Sequence, residues 1–269
     1  MRYAEYPPCT ALTPHVKCYW VFEADADRSG AAPEAIVPDG SSELIFHLGD
    51  PFERLDAAGR VVTQHRSVFV GQLERAMTVR PTGRRALFAV RFRPAGAAAF
   101  FGGAARGFSG QSVALRDAWP RMAERLADHV AAAQDDLSRI AVVERALLAR
   151  LVVPRAAPLA AVAAGRILAC GGALRIDDLA DDLGVSARTL GRAFDETVGI
   201  APKTLARIAR LRRALALLES PRPASLASVA FGCGYADQSH LVREFRALTG
   251  APPTVYLAAE RPLADHFGA

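Results

Sequence analysis

Apolar positions fall into two regimes along the 269-residue chain. Up to about residue 93 they come in short runs, Ala35 to Val37, Leu44 to Leu48, Val68 to Val70, Met77 to Val79 and Ala86 to Phe92, with turn sequences such as Pro38-Asp39-Gly40, Gly49-Asp50-Pro51 and Pro81-Thr82-Gly83 between them. Runs of that length bounded by Gly, Pro and Asp are strand signals, so this part reads as a compact β domain. From Pro94 onward β-branched residues thin out and Ala, Leu, Arg and Glu take over. Arg116 to Val130 and Asp135 to Val152 carry apolar residues at helical spacing, the second through Leu137, Ile140, Val143 or Glu144, Leu147, Leu148 and Leu151, and predict two helices. Pro154 and Pro158 interrupt that pattern and place a linker there, and everything beyond reads as helix. The expected fold class is α+β, with an antiparallel β domain carrying C-terminal helices over residues 1–153 and an all-α domain over 154–269.

Within the helical part the pattern repeats. Leu190-x-Arg192-x-Phe194-x4-Gly199-x2-Pro202 recurs as Leu241-x-Arg243-x-Phe245-x4-Gly250-x2-Pro253, every matched pair offset by 51. Upstream, Leu179-Ala180-x3-Gly184 corresponds to Val229-Ala230-x3-Gly234, with one extra residue in the second turn. Two copies of one helix-turn-helix unit are therefore expected, about 176–199 and 225–250. In the first, Asp177 or Asp178 caps a short helix with Leu179, Ala180 and Leu183 inward, Gly184 makes the sharp turn and Ser186 caps the next helix. Leu190 and Phe194, four apart, share its buried face, while Arg188 and Arg192 share the opposite one. In the second, Ser225 caps, Gly234 turns, Leu241 and Phe245 repeat the buried pair, and Ser239 and Arg243 stand where Arg188 and Arg192 stood. The exposed faces thus offer groups able to hydrogen-bond base edges: arginine to guanine, Gln238 to adenine, Ser239 and His240 adaptably.

Between the copies, Pro202 opens an amphipathic helix to about residue 219, with Ile208, Leu211, Leu215 and Leu218 as its core stripe. At about 1.5 Å per residue it is roughly 25 Å long, long enough to hold two recognition helices near the roughly 34 Å that separates successive major-groove faces. From Arg188 to Arg222 eight basic residues (Arg188, Arg192, Lys203, Arg207, Arg210, Arg212, Arg213, Arg222) face three acids (Asp195, Glu196, Glu219), a local net of +5. Phosphate contacts are expected from Ser186, Lys203, Arg207, Arg212 and Arg213.

The whole chain is also +5, and 51% of it is hydrophobic, which excludes wholesale disorder. Of its 33 basic residues only Lys17 and Lys203 are lysine, the mark of a GC-rich genome, so position rather than residue type has to argue for a phosphate contact. No apolar run of about 18 residues is free of charge, Gly or Pro, and the start MRYAEYPPC has no cationic segment followed by an apolar one. No membrane span or secretion signal is expected, and the protein is expected in the cytoplasm. Cys9, Cys18, Cys170 and Cys233 have no C-x-x-C or zinc spacing and read as reduced, packed thiols.

The run Gly234-Tyr-Ala-Asp-Gln-Ser-His-Leu-x-Arg-x-Phe245, with Gly250 and Pro253-x-x-Tyr256 beyond it, resembles the signature of the AraC/XylS transcriptional regulators, and the resemblance extends over about Leu174 to Tyr256. It implies a seven-helix DNA-binding domain placing two recognition helices in adjacent major grooves on one face of the duplex, with base contacts from Arg188, Arg192, Gln238, Ser239, His240 and Arg243. Gly191 departs from the polar residue often found there, which leaves first-helix readout to the two arginines. Tyr6-Pro7-Pro8, Tyr19-Trp20, Val37-Pro38-Asp39-Gly40, Glu43-Leu44-Ile45-Phe46, Val70-Gly71-Gln72 and Val90-Arg91-Phe92-x-Pro94 resemble a poorly understood β domain often fused to such units. That resemblance implies a cupin-like sensor or dimerisation module and names no ligand.

Double-stranded DNA is the expected partner, with RNA polymerase if the protein activates; a small-molecule effector and a homodimer stay open. No catalytic residue, cofactor or metal is expected. A cupin-type metal site needs two close histidines, a nearby Glu and a later His, whereas His47 stands alone in its run, His65 lies among turns, and His15, His129, His240 and His266 are scattered. His47 reads as a lone structural or surface histidine, Asp39-Gly40 as turn chemistry rather than acid/base chemistry, and no charged cluster in the first half converges.

Overall fold

A computed structural model describes residues 1–25, 32–55, 59–102, 105–120, 122–220, 222 and 224–259. Among the described residues are ten strands, all paired antiparallel: β1 Arg2–Tyr6, β2 Val16–Ala24, β3 Glu34–Ile36, β4 Glu43–His47, β5 Glu53–Leu55, β6 Val61–Thr63, β7 Ser67–Val70, β8 Met77–Arg80, β9 Arg85–Phe92 and β10 Ser112–Ala114. They build a six-stranded sheet in the order β1-β2-β9-β4-β7-β10 and a four-stranded sheet in the order β3-β8-β5-β6. Because side chains alternate across a strand, the central strands of the large sheet feed two cores. Tyr19, Val21, Leu44, Phe46, Phe88, Val90 and Phe92 pack one face, while Trp20, Phe22, Leu87 and Ala89 pack the other, towards the small sheet.

Helices α1 Ala98–Phe101, α2 Leu115–Ala118, α3 Ala123–Ala132 and α4 Asp136–Leu148 cover the first of those faces. The helix expected over Arg116 to Val130 is divided into α2 and α3, with Pro120 in the break. Asp135 caps α4 by accepting from the Ser138 N–H. Leu126, Val130, Ile140, Val143 and Leu147 are spent on the sheet's own core. Polar contacts pin α4 to the opposite end of the domain: Asp136 takes Tyr6 Oη at 2.8 Å and pairs with Arg2, and Glu144 accepts from the Cys9 N–H at 2.7 Å.

Seven helices follow: α5 Ala157–Ala169, α6 Ile176–Asp182, α7 Ala187–Thr197, α8 Pro202–Leu218, α9 Leu226–Gly232, α10 Gln238–Thr249 and α11 Pro253–Ala258. Pro158 sits in the first turn of α5, where a missing N–H costs nothing, rather than interrupting a helix. One core runs through all seven, and Val37 and Ala95 of the β domain belong to it. The two parts are docked: Ala76 N–H donates to the Leu248 carbonyl at 2.7 Å, Arg106 pairs with Asp195 at 3.0 Å, and Leu205 of α8 lies over Gly40.

Candidate nucleic-acid interface

The two predicted units fold as paired short and long helices. α6 enters on Arg175 with no side-chain cap, so Asp177 and Asp178 stand in the first turn of the helix instead of capping it, where they still favour its positive end. Gly184 takes φ +66° to make the turn, and Ser186 Oγ caps α7 through the Thr189 N–H at 3.1 Å. In the second unit Ser225 Oγ caps α9, Gly234 turns at φ +75°, and Asp237, a cap that the sequence reading did not assign, accepts from the His240 N–H at 2.6 Å. Leu190, Phe194, Leu241 and Phe245 are all fully buried, Pro253 opens α11, and Phe245 meets Tyr256 edge-on. The 51-residue repeat is thereby realised as equivalent buried pairs on α7 and α10.

The faces left over are polar. Arg188 and Arg192 are exposed on α7, Gln238, Ser239 and Arg243 on α10, and none of these three arginines has an ion-pair partner among the described residues. Ser186, Lys203 and Arg213 are exposed as well, and Arg212 partly so. Two residues are more committed. Arg207, expected at a phosphate, donates its Nε to Glu244 at 2.7 Å and so ties α8 to α10. His240 stacks edge-on against Tyr235 and receives the Ala236 N–H on Nδ1 at 3.3 Å, which fixes the entry to α10. Arg210 lies over the Tyr235 ring at 5.4 Å and acts within the core. The interior partners Glu244 and Tyr235 had no signal in the repeat, because they occur in one copy only.

The first half also holds a convergence that its sequence did not announce. Arg91, 1% exposed, lies on the inner face of β9 and donates to Glu43 at 2.8 Å, with Asp39 at 3.9 Å and Glu5 at 3.6 Å. Trp20 Nε1 also donates to Glu43, at 3.0 Å. Burial alone would lower the Arg91 pKa, but Glu43 and Asp39 more than offset it, so Arg91 is firmly cationic. Burial pushes Glu43 upward against the pull of Arg91. Asp39 does the turn work expected of it, accepting the Ser41 N–H at 2.8 Å. The available signal was an arginine alone in the apolar run Ala86 to Phe92, in phase with Leu87 and Ala89. Of the two readings open for His47, structural or surface, the structure takes the first: it is 3% exposed and lines a cavity between the sheets. Among the described residues no three of His, Cys, Asp and Glu are grouped to hold a metal, and no helix is long and apolar enough to cross a membrane.

Two capped helix-turn-helix units on a shared core define the class of the C-terminal part, a helix-turn-helix fold. Residues 179–259 match the family described as a helix-turn-helix domain, and residues 4–114 match a domain of unknown function, DUF6597. The C-terminal part is thus a helix-turn-helix domain of the AraC type, a DNA-binding unit of transcription regulators. No curated protein matches the chain. Solved structures are similar more remotely. Apo ToxT from Vibrio cholerae is 10% identical with TM-score 0.48, over 89% of this chain and 96% of that one. Fatty-acid-bound ToxT is 10% identical with TM-score 0.47, over 88% and 93%. A probable AraC family regulator from Rhodopseudomonas palustris is 27% identical with TM-score 0.35, over 39% of this chain and 99% of that one.

Proposed function

We propose that residues 154–269 recognise specific DNA sequences by inserting α7 and α10 into successive major grooves on one face of the duplex, while residues 1–153 sense a signal and carry association. The observation behind this reading is that the equivalent faces of α7 and α10 present Arg188, Arg192 and Arg243 without internal partners, at either side of the 17-residue helix α8. Arginines left unpaired beside others that are paired are free to bind base edges. Gln238 and Ser239, in the first turn of α10, join them, and His240 contributes from its anchored position. Ser186, Lys203, Arg212 and Arg213 hold phosphates, while Arg207 orients α10. RNA polymerase is a partner if the protein activates. α4 buries Ile140, Val143 and Leu147 on its own sheet but leaves Leu137 and Leu148 exposed, so its outer face stays available to a homodimer.

The operator is obtained by sequencing the genomic fragments that the protein retains. Arg188→Ala should then weaken operator binding by about 1–3 kcal/mol and relax base preference in one half-site, whereas Arg212→Ala should weaken all duplexes alike and reduce the salt slope by about 1. Operator affinity unchanged in both variants would remove the recognition-helix assignment.

A further inference from the structure

The cavity between the sheets has an inner volume of about 60 Å³ and is partly open to the surface, so a ligand larger than that volume can project from its mouth. Its wall is mostly apolar, with Ile36, Ile45, Phe52 and Val79 among the lining residues. Into it β4 turns every second residue, Glu43, Ile45 and His47. Glu43 is answered by Arg91 and Trp20. His47 is not: neither ring nitrogen has a hydrogen-bond partner, although the ring is buried against Phe52 at 5.3 Å. The nearby Gln64 side chain pulls the imidazole pKa upward against the larger effect of burial, but it donates to Ser112 Oγ at 3.3 Å and leaves both ring nitrogens without a bond of full hydrogen-bond geometry. Buried polar groups are nearly always satisfied, so one that lines a cavity asks what satisfies it.

We propose that this cavity binds a small, uncharged, largely apolar molecule bearing a hydroxyl group that hydrogen-bonds to His47. A neutral imidazole offers one N–H and one lone pair, and a hydroxyl can answer either. Burial keeps the ring neutral, lowering its pKa to about 4. Asp39 and Glu43 in the wall repel an anion, and an ammonium would lose its water against apolar side chains while Glu43 already has its cation. The same wall carries the helical domain. Val37 belongs to both the cavity and the helical core. Leu73 and Met77 line the cavity on either side of Ala76, whose N–H bonds to Leu248 at the end of α10. Gly40, between lining residues Asp39 and Ser41, lies beneath Leu205 of α8. Filling the cavity therefore presses on the segments that seat the recognition helices, a consequence that rests on the DNA-binding reading above, as the binding itself does not.

Calorimetric titration of the full chain near neutral pH with phenol, toluene, benzoate and benzylamine tests the site. Phenol should bind saturably at one per chain, toluene, with methyl in place of hydroxyl, at least about tenfold more weakly, and the two charged probes not at all, since a site built around a polar group rejects the analogue lacking its partner. His47→Leu should reduce phenol to the level of toluene and leave toluene unchanged. Phenol that fails to saturate by about 10 mM, the weak end of measurable affinity, toluene equal to phenol, or tighter binding of a charged probe would overturn the proposal; the probe series decides even if the variant does not fold. Amide exchange at Ala76 reports the coupling without DNA: bound phenol should change its rate several-fold, and an unchanged rate overturns the coupling.

Discussion

His47 concentrates what a single residue can do to this β domain. In sequence it sits inside the apolar run Leu44 to Leu48 and looks ordinary; only its phase with Glu43 and Ile45 puts it on the inner face, and phase says nothing about a cavity until the second sheet is in place. The cost of charging it there is measurable. An unfolded chain takes up the proton near pH 6.5, the folded one only near 4. Stability from the neutral ring is therefore complete above pH 6.5 and is lost as pH falls towards 4. At about 1.4 kcal/mol per pKa unit, the loss approaches roughly 3 kcal/mol. Asp39, Glu43 and Gln64 surround the same space, so the comparison that isolates the ring is wild type against His47→Leu in denaturant unfolding at pH 7 and pH 4.5. The variant should show a shallower decline over that interval, and parallel curves would mean that the carboxylates rather than His47 set the pH dependence.

At the scale of elements, what could be read from sequence depended on whether an element has two distinct faces. α7, α8 and α10 each bury one stripe and expose another, and the repeated Leu and Phe at i and i+4 located α7 and α10 as the residues of the structure locate them. β2 escaped because Val16 to Phe22 is apolar almost throughout, both of its faces being buried, which erases the alternation that marks a strand. β5 and β6 escaped for the opposite reason, being three residues long and scarcely buried. Contacts between elements leave less trace still. Arg207 on α8 and Glu244 on α10 read as two more surface charges, yet Glu244 is only 15% exposed and accepts from Arg207 while His240 stands 3.9 Å away. Arg207→Ala and Glu244→Gln should each cost about 1–2 kcal/mol in chemical unfolding, since each leaves a partly buried group without its partner, and the double variant should fall short of the sum by at least about 0.5 kcal/mol. Strict additivity would show that the pair does not hold α10 to α8.

Across the whole molecule, the docking of the helical domain on the β domain was invisible in sequence, because main-chain contacts share it with single side-chain pairs such as Arg106–Asp195 that no pattern along the chain marks. Gly199, which in sequence is only a matched position of the repeat, meets the partner domain: at φ +92° it ends the first unit, and a Cβ on it would stand 2.7 Å from the Ala105 carbonyl oxygen. Gly184 offers a control within the same unit, with φ +66° and nothing within 4 Å of its would-be Cβ. Both Gly→Ala substitutions incur the left-handed backbone cost of about 1–2 kcal/mol, but only Gly199→Ala also drives a methyl group into the other domain. Backbone cannot yield there as a flexible side chain could, so the interface has to open or α7 has to move. The Ala76 N–H to Leu248 bond crosses the same interface and gives a local gauge of opening. Amide exchange at Ala76 should accelerate clearly in Gly199→Ala and stay near the wild-type rate in Gly184→Ala, even where the two variants lose similar global stability. If Ala76 exchanges alike in both, the contact at Gly199 does not hold the domains together, and the orientation of α7 and α10 is set by the helical core alone.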